Sequence, residues 1–394
     1  MSAVRRRLVL YLSGFDPRGV RYYHQLYRAE ADKQAALGGY RISVGRRERI
    51  DDHLLRWDLR YEDAEGAVET EYLYCEWDDI VRRFWVKHPL KLARVTLSAS
   101  LHALRNGIFQ NTLRWSWPAF VTATMPALLL VGLILLTLAF AGAGYALFGW
   151  AGLAGGLILG FGLLWLAYRL EQKFNLTWVG RILGFHEAED KSGTEMLEKR
   201  RDDFAVLLRE RLARGGVDEI LVAGHSYGAA LAISVVARAL GSVTADTPRL
   251  SLLTLGQTVM WLAWLPQAER TRAEIAAAAC DDRIDWIDIS APPDGACFAL
   301  VDPYTAIGDR QTDRKNPKLL NAKFHEIMAD EDYAKGSRDW MRLHFQYIMA
   351  GAKPAEYDYF ATTAGPQTLG DRFATRSSVR DFTRLRRGSM KDVR

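Results

Sequence analysis

Short apolar runs alternate with amphipathic stretches over most of the chain. Runs of strand-forming residues predict strands at residues 8–12, 40–46, 54–61, 69–77, 219–223, 250–256 and 284–289. The runs at 40–46 and 54–61, with a charged turn between them, are predicted to pair antiparallel. Helical patterns separate several of the other runs, for example at residues 22–37 and 196–213. This alternation predicts an α/β fold with a mostly parallel sheet and helices on both faces.

The pattern changes in the middle of the chain, where no charged residue occurs from Trp115 to Tyr168. A stretch of this length accommodates two helices of about 20 residues each and a short turn. We predict spans near residues 120–140 and 151–168, with the turn at residues 141–150. The second span has three glycines at four-residue spacing, which suits close helix packing. The sequence therefore predicts a two-helix transmembrane hairpin.

Basic residues flank this apolar segment on both sides. Residues 80–114 contain seven arginines and lysines and no acid. Because positive flanks stay in the cytoplasm, both termini and the parts of the chain outside the apolar segment are predicted to be cytoplasmic, at the inner membrane if the protein is bacterial. No signal peptide is evident at the N-terminus. The position of the basic patches favours a lipid bilayer as partner over nucleic acid, which is not expected to bind.

The composition suits a globular protein with a large core, since 49% of the 394 residues are apolar and 25% are charged. Residues 1–86 and 192–370 are predicted to be two parts of one soluble domain. Residues 87–191 form a basic amphipathic segment with the hairpin, and residues 371–394 form a basic tail. Three widely spaced cysteines do not suggest a disulfide framework, which favours a reducing compartment.

The segment Gly224-His225-Ser226-Tyr227-Gly228 carries the clearest chemical signal. An apolar strand precedes it and a small-residue helix follows it, which is the form of a strand–turn–helix that exposes a serine hydroxyl. Glycines are needed on both sides because a Cβ there would collide with the neighbouring strand and helix. We predict that Ser226 is a nucleophile. The alternative is a glycine-rich turn whose serine merely caps the helix.

An activated serine needs a base within hydrogen-bond reach and an acid that orients the base. In parallel sheets the reactive loops follow the carboxyl ends of the strands. Asp294 stands in a Pro-Asp-Gly turn just after the predicted strand at 284–289, and we favour it as the acid. Asp302, in a Val-Asp-Pro segment, is the alternative, and either residue could instead be an ordinary turn-former.

Two histidines follow these acids and are candidates for the base. His344 begins a new apolar helix after a polar stretch, as a loop-borne histidine should, and we favour it. His325 lies within a helical pattern and is the alternative. His225 neighbours the serine, but we expect its ring to point away from the hydroxyl, into the sheet or solvent.

The oxyanion of an acyl-transfer intermediate needs backbone donors. The N–H groups of Tyr227, just after the serine, and of Phe15, in the loop after the first strand, are the predicted pair. The chain order Ser226, Asp294, His344 resembles that of the α/β-hydrolase superfamily. The Ser13-Gly14-Phe15 segment resembles the His-Gly-Phe type of oxyanion loop found in esterases and lipases, with serine in place of histidine.

The resemblance covers the strand at residue 8 and residues 192–350, and it departs from the family pattern in its leading strands and in the inserted hairpin. The resemblance implies a serine hydrolase, without metal or cofactor, that cleaves an acyl ester or thioester. The predicted hairpin adds a membrane anchor and favours an amphiphilic substrate. An acyltransferase with the same triad is one alternative. An inactive hydrolase-like scaffold or interaction protein at the membrane is the other.

Overall fold

The computed structural model describes residues 3–175, 177–190, 195–308, 314–335 and 339–379. The chain forms two compact units, Met1–Arg82 with Thr194–Arg394, and Arg83–Gly193. Most of the predicted basic tail, residues 371–394, lies outside the described residues.

The first unit contains a mixed sheet. In the described part of the chain its nine strands are β1 (Arg6–Leu12), β2 (Arg41–Val44), β3 (Glu48–Asp51), β4 (Leu54–Asp63), β5 (Gly66–Cys75), β6 (Glu219–His225), β7 (Arg249–Leu255), β8 (Asp285–Ser290) and β9 (Lys318–Asn321). Their order is β2-β4-β5-β1-β6-β7-β8-β9, with β3 paired to β4. The strands from β5 to β9 in this order are parallel, and β2, β3 and β4 are antiparallel. The predicted α/β class with a mostly parallel sheet is confirmed.

Helices connect these strands and follow them. They are α1 (Val20–Gly38), α2 (Asp78–Phe84), α7 (Glu195–Arg214), α8 (Tyr227–Ala239), α9 (Val259–Ala263), α10 (Glu269–Cys280), α11 (Pro303–Ala306), α12 (Phe324–Ile327), α13 (Asp330–Lys335), α14 (Trp340–Phe345), α15 (Tyr359–Ala364) and α16 (Leu369–Arg372). The helices of the second unit are α3 (Pro89–Arg105), α4 (Ile108–Trp115), α5 (Trp117–Phe174) and α6 (Trp178–Asp190).

The central strands are buried along their length, so any charge they carry needs a partner. All seven residues of β6 are buried, including Glu219 at the end opposite to Ser226. Arg7 Nε donates to Glu219 Oε2 at 2.7 Å, and neither side chain is exposed. Ser251 Oγ and the Leu369 N–H also donate to this carboxylate. The buried charge is thus paired and fully hydrogen-bonded, which a low-dielectric interior requires.

Aromatic side chains hold α1 against the sheet. Trp57 of β4 stacks on Tyr72 of β5, with ring centroids 4.6 Å apart. Tyr27 of α1 meets Tyr72 edge-on at 5.1 Å, and Tyr23 lies 5.7 Å from Tyr11 of β1. Large buried rings contribute much of the apolar burial in a core, so α1 is a rigid platform for the side chains it carries.

In the second unit, α5 covers both predicted membrane spans as one helical element of 58 residues. Only Gly149 inside it has non-helical angles, φ 64° and ψ −145°. The prediction of two separate helices joined by a ten-residue turn at residues 141–150 is therefore wrong. Residues 141–148 continue the helix, and it breaks only at Gly149. Only glycine readily adopts the positive φ of the break.

The backbone segments before and after Gly149 come into close contact. A Cβ added to Gly156 would collide with the carbonyl of Phe140, and one added to Gly160 would collide with the Thr137 side chain. Small residues therefore let the two arms of α5 approach each other. Within the described ranges, α5 is the one helix long and apolar enough to cross a membrane.

Candidate active site

The turn between β6 and α8 holds Ser226 in a strained conformation, with φ 58° and ψ −123°. L-residues other than glycine adopt a positive φ rarely and at an energetic cost. The Ser226 N–H donates to the carbonyl of Leu255 at 2.9 Å, which fixes the turn to the end of β7. A Cβ at Gly224 would collide with the Gly228 carbonyl, and one at Gly228 with that of Leu12. The glycines therefore serve the role predicted for them.

The loop after β1 lies directly beside the serine. A Cβ added to Gly14 would be 3.0 Å from Ser226 Cβ and 3.4 Å from Ser226 Oγ. Trp77 Nε1 donates to the Ser13 carbonyl at 2.9 Å, and this holds the loop in place. The predicted oxyanion donors, Phe15 and Tyr227, thus belong to the two segments that adjoin Ser226. Their rings are 6.4 Å apart.

Asp294 and His344 form a buried hydrogen-bonded pair. His344 Nδ1 is 2.9 Å from Asp294 Oδ2. The other carboxylate oxygen accepts from the Ala296 N–H at 3.0 Å. Burial opposes ionisation of Asp294, but the electrostatic interaction and hydrogen bond with His344, together with the Ala296 N–H, outweigh it and lower the carboxyl pKa. The pair therefore has an ionised acid that fixes Nδ1 as the protonated nitrogen of His344.

His225 supports the backbone of His344 rather than facing solvent. Its Nε2 donates to the His344 carbonyl at 2.8 Å, and the two rings are 4.9 Å apart. Burial and the nearby His344 lower the pKa of His225 to about 3, so this ring is neutral. The expectation that His225 points into the sheet or solvent missed this contact, because it depends on a segment 119 positions away in sequence.

Through His225, the segment that carries His344 lies against the serine turn. No hydrogen bond between Ser226 Oγ and His344 occurs among the described residues. In enzymes without bound substrate such catalytic hydrogen bonds are often long and tighten only in the complex. The structure thus joins Asp294 to His344 directly and brings the segment that carries His344 next to the serine turn.

The alternative acid and base have other partners. Asp302 caps α11, accepting from the Tyr304 N–H at 3.0 Å and from Thr305 Oγ1 at 2.8 Å, and it forms an ion pair with Arg314. His325 lies on α12, half-buried, with Nε2 3.7 Å from the carboxylate of Glu326. These contacts give Asp302 a structural role, and they leave His344 as the histidine bonded to Asp294.

One charged residue near the site was not found by sequence reasoning. Arg18 Nε is 2.9 Å from Asp16 Oδ1, and its guanidinium lies 3.8 Å from the Tyr22 ring centroid and 4.6 Å from that of Phe345. Phe345 directly follows His344. No local pattern in the Asp-Pro-Arg-Gly segment after β1 indicates the contact with Phe345.

Within the described residues, no group of three or more histidine, cysteine, aspartate or glutamate side chains is arranged to hold a metal ion. Comparison with models of protein families, with curated proteins and with solved structures gave no match for the chain. The resemblance to α/β-hydrolases therefore remains a prediction from the residues themselves.

Proposed function

We propose that the protein is a membrane-anchored serine hydrolase of the α/β-hydrolase type, which cleaves an acyl ester or thioester through an acyl-enzyme on Ser226. The observation that carries this proposal is the strained serine turn beside a buried Asp294–His344 pair. Strain at a non-glycine residue persists only where the surrounding structure enforces it, and it concentrates at functional sites.

Each residue has a defined role in the proposed reaction. Ser226 Oγ attacks the acyl carbonyl while His344 Nε2 accepts the hydroxyl proton. Asp294 stabilises the imidazolium that forms, since its carboxylate accepts from Nδ1. The alcohol or thiol then leaves with the proton from His344, and water releases the acyl group by the same route.

The oxyanion of each tetrahedral intermediate would lie between the backbone N–H groups of Phe15 and Tyr227. The close approach of Gly14 to Ser226 supports this. Phe15 directly follows Gly14, so its N–H would lie beside the substrate carbonyl that Ser226 attacks. The N-terminus of α8, which begins at Tyr227, adds favourable potential for negative charge.

Membrane attachment rests on the second unit. In the most apolar 18-residue stretch of α5 only 11% of residues are buried within the protein. Helix α3 has an outward apolar face of four exposed leucines, Leu90, Leu97, Leu101 and Leu104. Basic residues flank both helices, which favours an anionic bilayer surface and a cytoplasmic catalytic domain. A bilayer partner makes an amphiphilic substrate the favoured class.

The test is hydrolysis of a panel of acyl esters and thioesters by the full chain in neutral detergent. Ser226→Ala is expected to abolish turnover. Ser234→Ala is the matched control, because this buried α8 serine has no hydrogen-bond partner among the described residues and should retain turnover. Turnover of no panel member would leave the inactive scaffold as the better account. Equal turnover by Ser226→Ala would show that Ser226 is not the nucleophile. Acyl transfer to an added alcohol in preference to water would identify an acyltransferase.

A further inference from the structure

Four arginines from two segments line one cavity of about 590 Å³ in the first unit. Arg21 and Arg28 are seven residues apart on α1 and so share a helix face. Arg46 and Arg47 lie in the loop between β2 and β3. The other lining residues are His24, Gln25, Val44 and Gly45. Asp and Glu are absent from the lining.

None of the four guanidinium groups forms an ion pair or hydrogen bond within the described ranges. Exposed arginines elsewhere in the same part of the sheet are neutralised. Arg60 Nε is 2.7 Å from Glu62 Oε1, and Arg56 is 2.9 Å from Glu48. Four like charges around one cavity repel each other unless an anion lies between them. The contrast indicates a site that lacks its counter-charge in the protein itself.

The cavity is held in shape by contacts between its two walls. His24 Nε2 donates to the Gly45 carbonyl at 2.9 Å, which ties α1 to the arginine-bearing loop. The Gly45 N–H donates to the carbonyl of Asp58 in β4 at 2.8 Å. His24 also packs edge-on against Trp57, with centroids 5.1 Å apart. A preformed cavity loses little conformational entropy when a ligand binds.

We propose that this cavity binds a ligand that carries phosphate groups. Guanidinium groups match phosphate oxygens with two parallel hydrogen bonds each, and arginine is the usual residue for such recognition. The cavity volume falls in the range of small-molecule sites, about 300–1,000 Å³, so a phosphate leaves room for the rest of the ligand. The phosphate belongs either to a lipid headgroup or to a soluble phosphate compound. None of the proposed catalytic residues lines the cavity, so the site does not depend on the hydrolase proposal.

The test is isothermal titration of the full chain in neutral detergent with pyrophosphate, dihexanoyl phosphatidic acid and dihexanoyl phosphatidylcholine. The pairs Arg21→Gln/Arg28→Gln and Arg46→Gln/Arg47→Gln are each expected to weaken binding of the phosphate probes by about tenfold or more, since charge-assisted hydrogen bonds are lost. Arg60→Gln is the matched control, and its affinity should stay within about twofold, because this arginine already pairs with Glu62.

Tighter binding of phosphatidic acid than of pyrophosphate would identify a lipid headgroup as the source, and the reverse order a soluble phosphate. Either result supports the site if both paired variants bind that probe more weakly than the wild type does. If neither pyrophosphate nor phosphatidic acid binds saturably, the proposal is overturned. Equal affinities of the wild type and both paired variants would also overturn it.

Discussion

The two units distribute apolar and polar side chains in opposite ways. In the first unit the large apolar residues of the central strands are buried, and the charges that enter the core, such as Arg7 and Glu219, are paired. In α5 of the second unit the large side chains, including Phe148, Trp150 and Ile158, are mostly exposed, whereas small residues such as Gly160 and Ala141 are buried. Under the proposed membrane attachment, one hydrophobic effect accounts for both patterns, because the first unit then faces water and α5 faces the bilayer.

The largest expected effect concerns the buried Asp294–His344 pair of the first unit. Asp294→Asn should lower kcat/KM about 10⁴-fold, because the amide no longer stabilises the imidazolium or fixes the His344 tautomer. Asp302→Asn should stay within about tenfold of wild type, since an asparagine still caps α11. Steady-state kinetics on the best ester of the panel measures both. Equal losses in the two variants would contradict the assignment of Asp294.

The paired charges inside the sheet give the next largest effect. Glu219→Gln leaves the Arg7 guanidinium buried without its counter-charge, and we expect it to lower the free energy of unfolding by about 3–5 kcal/mol. Arg56→Gln removes the exposed pair with Glu48 and should cost less than about 1 kcal/mol. Denaturant unfolding followed by the near-ultraviolet signal gives both values. A small loss for Glu219→Gln would show that this charge pair is not required in the core.

The exposed apolar surface of α5 in the second unit is tested by placing a charge on it. Ile158→Arg should reduce the fraction of protein that resists alkaline extraction from membranes, since an arginine inside a bilayer costs about 2.5–3.5 kcal/mol. Val206→Arg alters an exposed apolar residue of α7 in the first unit and should leave that fraction unchanged. Unchanged extraction and greater solubility of Ile158→Arg would indicate that α5 faces water.

The last prediction concerns a pH dependence of stability that arises from His225. The pKa of His225 is about 3 in the folded protein and 6.5 without its surroundings, so the unfolded chain binds a proton that the folded chain excludes. Stability from this residue is therefore present above about pH 6.5 and is lost as the pH falls toward 3. His225→Gln should show a flatter dependence of the unfolding free energy between about pH 6.5 and pH 4. Identical slopes would contradict a buried neutral His225.

Local patterns were sufficient for much of the fold. Strands β1, β6, β7 and β8 were predicted to within about two residues, since each is rich in apolar residues and lies in the buried, parallel part of the sheet. The short edge strand β3 and the terminal strand β9 were missed, because a few residues of mixed polarity carry little periodic signal. The turn predicted at residues 141–150 was wrong for a similar reason, since nothing in residues 141–148 distinguishes a turn from a continued helix.

The candidate site was predictable where chemistry depends on position relative to a strand. Ser226 and Asp294 each follow a predicted strand, so topology alone restricts where their side chains can lie. The role of His225 and the contact of Arg18 with Phe345 depend on segments that meet only in the folded chain. The arginine cavity was missed for the same reason, since Arg21 and Arg46 come together through the packing of α1 on the sheet.

The central claim, that Ser226 is a nucleophile, is tested most directly by a fluorophosphonate probe whose adduct is located by mass spectrometry of the digested protein. The account predicts a covalent adduct on the peptide that contains Ser226 in wild type and in Ser234→Ala. It predicts no adduct in Ser226→Ala. Equal labelling of Ser226→Ala, or an adduct on a different residue of the wild type, would contradict it.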